Sequence, residues 1–187
     1  MFRCFILTFA LIVLTTLAWA QQSDIGDKAF DVRSSVGDLH VGKDADAGKA
    51  GPPLYPGARP KLEKDNDPLN VGVLTEAFGL KLIVAKYETA DDPAKVIAFY
   101  RGKLKKYGKV LECHSQRHDA GVTVHDGDND SNDNDELKCD ENSGPVTELK
   151  VGTEDNQRIV AVESGDAGKG SNFAIVYMYA RGKRGDL

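Results

Sequence analysis

Asp126, Asp128, Asp130, Asn132 and Asn134 recur at every second residue in the middle of a 187-residue chain. Hard oxygen donors at that spacing resemble positions 1, 3, 5, 7 and 9 of a calcium loop, in which one short segment wraps the ion. Two residues depart from the pattern. Ser131 stands at the sixth position, where glycine makes the sharp bend, and Leu137 at the twelfth, where a bidentate glutamate belongs; Glu136 comes one place early. No helix pair flanks the tract. Weak Ca²⁺ binding is the chemistry on offer, and a solvated acidic loop is the reading its composition favours.

The same stretch collects histidines and cysteines. His114, His118 and His125 lie in or beside it, and Cys113 and Cys139 enclose it. On a helix, His114 and His118 would present both imidazoles on one face for Zn or Cu. His114 instead continues a strand pattern, where residues four apart stand about 13 Å from each other, so surface histidines in a polar loop are the favoured reading. The two cysteines are 26 residues apart and show no Cys-x-x-Cys spacing, which predicts a structural disulfide in an oxidising compartment.

Enzymatic motifs are absent. The chain contains no Gly-x-Ser-x-Gly and no His-Glu-x-x-His, and it shows no phosphate-binding loop after a strand. Ser115 beside His114 is not a dyad, because adjacent strand residues point to opposite faces. No catalytic residue is assigned, and Ca²⁺ is the one cofactor the residues suggest.

These side chains need a compartment and a scaffold. Residues 1–20 read as a secretory leader: Arg3 is the positive n-region, Cys4 to Leu17 the apolar core, and Ala18-Trp19-Ala20 the cleavage site. The apolar run is shorter than the roughly 20 residues of a spanning helix, so cleavage would leave no membrane anchor. The expected product starts at Gln21 and is periplasmic or secreted. The leader holds a single base, so its loss takes the net charge from −5 to −6. Residues 119–141 hold nine acids against Lys138 alone, a balance of −8, which leaves the rest at about +2. Such a body lacks the concentrated basic surface that nucleic acid requires, whereas its acidic lobe would attract cations or a basic surface.

The periodicity supplies the scaffold. Residues 21–53 read as a polar segment and linker carrying one strand, Val32 to Val41, broken at Gly37-Asp38. Residues 54–182 read as one domain with an acidic loop at 114–138, and 183–187 as a flexible tail. In Leu54-Tyr-Pro-Gly-Ala-Arg-Pro60, Pro56-Gly57 predicts a turn with Gly57 at positive φ. Strands are expected over Val71 to Phe78 and Leu80 to Thr89. A helix should follow, with Asp92 as N-cap, Pro93 at its first position and Gly108 beyond its end. Within it Val96, Ile97, Tyr100, Leu104 and Tyr107 form one apolar face. Further strands are expected over Lys109 to Ser115, Glu136 to Cys139, Pro145 to Gly152, Gln157 to Glu163 and Phe173 to Arg181. The order ββαβββββ predicts an α+β fold, a curved and mainly antiparallel sheet packed on one amphipathic helix. Tyr55, Tyr87, Phe99, Tyr100, Tyr177 and Tyr179 are expected to serve packing.

Tyr55-Pro-Gly-Ala58, Tyr87-Glu-Thr89 and Asp92-Pro-x-x-Val-x-x-Phe-Tyr-Arg-x-x-Leu104 together resemble a pattern in a family of uncharacterised exported bacterial proteins. The likeness spans about residues 54–108, a third of the chain, and implies a small extracytoplasmic α+β domain with no attached activity. The expected function is therefore an exported, non-enzymatic binding or structural module. A weak Ca²⁺ module, or less readily a transition-metal one, is the alternative within the binding class. A periplasmic hydrolase is the enzymatic alternative.

Overall fold

The computed structural model describes residues 30–61, 68–116 and 137–182. The leader, the tract from Asp126 to Asn134, His118, His125 and the tail at 183–187 lie outside the described residues.

In chain order the elements are β1 (Phe30–Ser34), β2 (Gly37–Gly42), α1 (Ala47–Ala50), β3 (Arg59–Pro60), β4 (Leu69–Thr75) and β5 (Gly79–Thr89). They continue with α2 (Pro93–Leu104), β6 (Leu111–Ser115), β7 (Val146–Thr153), β8 (Asn156–Ser164) and β9 (Ser171–Arg181). All nine strands join one antiparallel sheet in the order β1-β2-β4-β5-β9-β8-β7-β6, with β3 on the edge of β5. A mainly antiparallel sheet with a helix packed on it is consistent with the α+β class that the periodicity indicates, and equally with a mainly-β one. Among the described residues no helix is long and apolar enough to cross a membrane.

Two expectations are corrected. Among the described residues four strands follow α2, not five: residues 137–139 are irregular, because the chain there turns to carry Cys139 back to β6. The stretch Asp44 to Pro53, read as linker from its Asp, Gly and Ala content, holds α1 and buries Ala47, Ala50 and Pro52. The strand expected over 32–41 becomes the hairpin β1–β2, and β2 pairs with β4.

The register gives the sheet two faces. Residues 83, 85 and 87 of β5 align with Tyr177, Ile175 and Phe173 of β9 and, beyond, with Arg158, Val160 and Val162 of β8. This helix face receives Val96, Tyr100 and Leu104 from α2, each fully buried. α2 forms as the residues dictate: Asp92 Oδ1 accepts the Ala94 N–H at 2.8 Å, Pro93 needs no donor, and a 3₁₀ turn over Lys105–Tyr107 ends at Gly108.

The Tyr55-Pro-Gly-Ala turn anchors the other end of this layer. Gly57 has φ 78°, and the Ala58 N–H bonds Tyr55 O at 3.1 Å, the geometry of a type II turn. Tyr55 sits edge-on to Phe99 at 5.1 Å, and its N–H donates to the buried Tyr100 hydroxyl at 3.1 Å. Burial of the Tyr100 ring pushes its phenol well above the ordinary value, so it stays neutral. Tyr87 stacks on Phe173 at 5.5 Å. Tyr55, Tyr87, Phe99 and Tyr100 thus build one aromatic core with Phe173, which accounts for their types without a ligand.

Candidate functional site

On the helix face, α1 and α2 leave β1, β2, β4 and the start of β5 uncovered. A groove of about 570 Å³ opens there, within the range of small-molecule sites. Its floor is bare backbone at Gly72, in the middle of β4. The backbone does not require glycine at this position, since its φ is ordinary, and a Cβ added there would come no closer than 3.8 Å to His40 Cβ. A strand interior loses stability at glycine, and a common reason to keep one is close approach by another molecule.

Alternation brings the walls together. Arg33, Asp38, His40 and Lys81 share the helix face with Gly72 because each is register-paired onto it across β1, β2, β4 and β5. Lys49 leans in from α1, and Tyr179 closes the β9 side. Lys49 is held by Asp44, which also accepts from Asn70 Nδ2 at 3.1 Å. These bonds, Lys49 first, hold the Asp44 carboxyl far below the usual carboxylate range against the opposing effect of burial.

His40 is gripped at both ring nitrogens, by Asp31 through Nδ1 at 2.7 Å and by Asp44 through Nε2 at 3.3 Å. The bond to Asp31 is the chief cause of a raised imidazole pKa. Protonated, the ring donates to both carboxylates and offers no free nitrogen to a substrate.

Beside the groove, cations and tyrosines alternate. Lys81 Nζ lies 5.9 Å from the Tyr177 ring centre. The Arg158 guanidinium lies between Tyr177 at 4.5 Å and Tyr107 at 4.3 Å, with Lys106 4.6 Å from the latter. Nε of Arg158 is buried without a hydrogen-bond partner. Charge held on aromatic faces keeps its direction without being neutralised by a carboxylate.

The residues singled out from sequence sit elsewhere. Cys113 and Cys139 have their sulfurs at bonding distance, with Cα atoms 5.5 Å apart. Cys113 pairs in register with Glu148 on the far face, opposite the helices, whereas His114 points to the helix face. His114 therefore shares no face with Cys113, and its cross-strand neighbour is Thr147, no metal donor. Among the described residues no three His, Cys, Asp or Glu side chains cluster as a metal site. Asp126, Asp128, Asp130, Asn132, Asn134, His118 and His125 lie outside the described residues.

Sequence reading passed over His40, the one histidine away from the acidic tract, and Gly72. A glycine inside an otherwise apolar alternation, Leu69-Asn-Val-Gly-Val73, was the available signal. No protein-family model, no curated protein and no solved structure matches this chain.

Proposed function

We propose that the protein is an exported, non-enzymatic binding module with its sheet curved about α2, and that the groove over Gly72 takes a small ligand bearing an anionic group. The glycine floor carries the reading: it is an open position that neither backbone conformation nor neighbouring atoms require. Arg33 and Lys81 flank it, and neither forms an ion pair among the described residues. Lys49, and His40 when protonated, add positive charge, offset by Asp38, Asp31 and Asp44, so the ligand's anionic group should be single and its remainder uncharged. His40 supports binding over acid–base catalysis, because both its nitrogens are already engaged.

The test is a thermal-shift and calorimetric series with acetate, benzoate, phenylacetate and inorganic phosphate on the wild type and on Gly72→Val. A ligand at 100 times its Kd would stabilise the wild type by about 2.7 kcal/mol. Gly72→Val should melt at or above the wild-type temperature, because valine suits a strand, yet show no ligand shift. A ligand that stabilises both proteins equally, or a complete absence of shifts across the series, overturns the reading.

A further inference from the structure

The two edges of the sheet are finished differently. Along the β6 edge lies the segment that returns from Cys139: Asn142 bridges to His114 in parallel, the Gln116 N–H donates to a Glu141 carboxylate oxygen at 3.1 Å, and Cys139 is bonded to Cys113. An edge covered in this way cannot recruit another strand. The β1 edge is open. Among the described residues no strand lies beyond β1, and all five of its residues are exposed, Phe30 at 57% and Val32 at 40%. Phe30-Asp-Val-Arg-Ser34 carries no proline, no lysine and no bulge, the usual devices that keep an edge single.

The β1–β2 register determines which backbone groups face outward. Ser34 and Gly37 close a two-residue turn, and the closing pair of such a turn exchanges its hydrogen bonds across the hairpin. Alternation then commits Phe30, Val32 and Ser34 to β2 and leaves the N–H and C=O of Asp31 and Arg33 pointing away from the sheet. A further antiparallel strand must set outward residues against outward residues. Two copies related by a twofold axis can do so with the axis at Asp31, Val32 or Arg33. The first faces aspartate with aspartate and the third arginine with arginine, and like charges directly opposite are repulsive. Only the axis at Val32 sets Asp31 of each copy against Arg33 of the other, with Val32 on Val32 between the two pairs. The side chains suit this pairing. Arg33 forms no ion pair among the described residues, and Asp31, 56% exposed, gives Oδ1 to His40 and leaves Oδ2 for a second partner.

We propose that the protein forms a homodimer by antiparallel pairing of β1 with β1 about a twofold axis at Val32, which joins two sheets into one. The assembly closes at two copies, because the β6 edge of each is covered. Arg33 is drawn toward the seam, and Lys81 remains as the open cation of each groove.

The experiment is sedimentation velocity of the protein as its expression host delivers it, with intact mass identifying the species. Five residues a side make an interface below the standard size, so the expected mass is two copies at ~500 µM and one near ~5 µM. Asp31→Arg gives a strand with two cations, and Arg33→Asp gives one with two anions. Each alone should stay monomeric across that range, with circular dichroism reporting the fold. Mixed in equal amounts they should dimerise, because every cross-strand pair is again of opposite sign. A wild type that is monomeric at the upper concentration overturns the proposal, as does a single variant that dimerises like the wild type, a mixture that does not dimerise, or a species larger than two copies. Should Asp31→Arg fail to fold for want of its bond to His40, Arg33→Asp and the wild-type dilution series decide: a dimer that Arg33→Asp leaves intact overturns the pairing.

Discussion

Reducing the bond between Cys113 and Cys139 should cost a calculable amount of stability. The cysteines are 26 residues apart, and in the chain-entropy model closing that loop restricts the unfolded chain by about 3.5 kcal/mol at 25 °C. The native side of the balance is favourable: Cα atoms 5.5 Å apart are within ordinary disulfide range, so bonding requires no backbone shift. Deleting Ala120–Asn134 would shorten the separation to about 11 residues and lower the expected gain to about 2.8 kcal/mol. Urea unfolding followed by circular dichroism, with and without reductant, would measure both. For a urea m-value of about 2 kcal/mol/M, reduction moves the full-length midpoint down by roughly 1.7 M. The shortened chain should lose about 0.7 kcal/mol less. A loss below ~1 kcal/mol in the full-length protein, or an equal or larger loss in the shortened one, would refute loop closure as the source of stability.

Other residues give further expectations. Tyr100→Phe leaves the Tyr55 N–H without its acceptor inside the aromatic core and should destabilise by about 1–3 kcal/mol, measured by the same urea titration; no change would mean that the 3.1 Å bond contributes nothing. The raised pKa of His40 means that its bonds to Asp31 and Asp44 are fully present below pH 6.5 and are lost as pH rises through the higher folded value. Both carboxylates are more than a third exposed, so the gain stays below about 1 kcal/mol. NMR should show His40 titrating above 6.5 and dropping on Asp31→Asn, with amide protection of β1–β2 weakening above that pH; a titration at or below 6.5 contradicts the geometry. Asp91, held below its ordinary range by Lys95 and then by Tyr55, works the other way, its contribution fading as pH falls through its lowered pKa. Lys95→Met should bring the Asp91 titration, followed by NMR, back up toward the ordinary carboxylate value.

Local signals made α2 and the long strands legible. Asp92-Pro93 and the 3.6 spacing of Val96, Tyr100 and Leu104 are short-range features, and so is the apolar run of β5. The sheet order was less accessible. β5 pairs with β9 across almost the whole domain, and no neighbouring residue encodes that choice; it follows from which faces must be buried together. α1 was hidden because a single helical turn of Ala-Gly-Lys-Ala carries no periodicity, and it is fixed by the Asp46 cap and the bond from the Ala47 N–H to Tyr87 Oη. The groove was hidden for a similar reason. His40 and Gly72 are unremarkable within their own strands and become neighbours only through the β2–β4 register, while the acidic tract stands out by composition alone.

β9 has a consequence for how the chain is made. It is the last strand of the sheet to be synthesised, yet it lies at the centre, paired with β5 on one side and β8 on the other. Before it emerges, β1 to β5 and β6 to β8 are two separate half-sheets, each with an open edge, and α2 has no complete surface to pack on. Folding must therefore wait for nearly the entire domain. The same arrangement makes the edges of β5 and β8 vulnerable to mispairing during that interval. A chain broken before Ser171 would retain most of its residues and lose the strand that makes them one sheet.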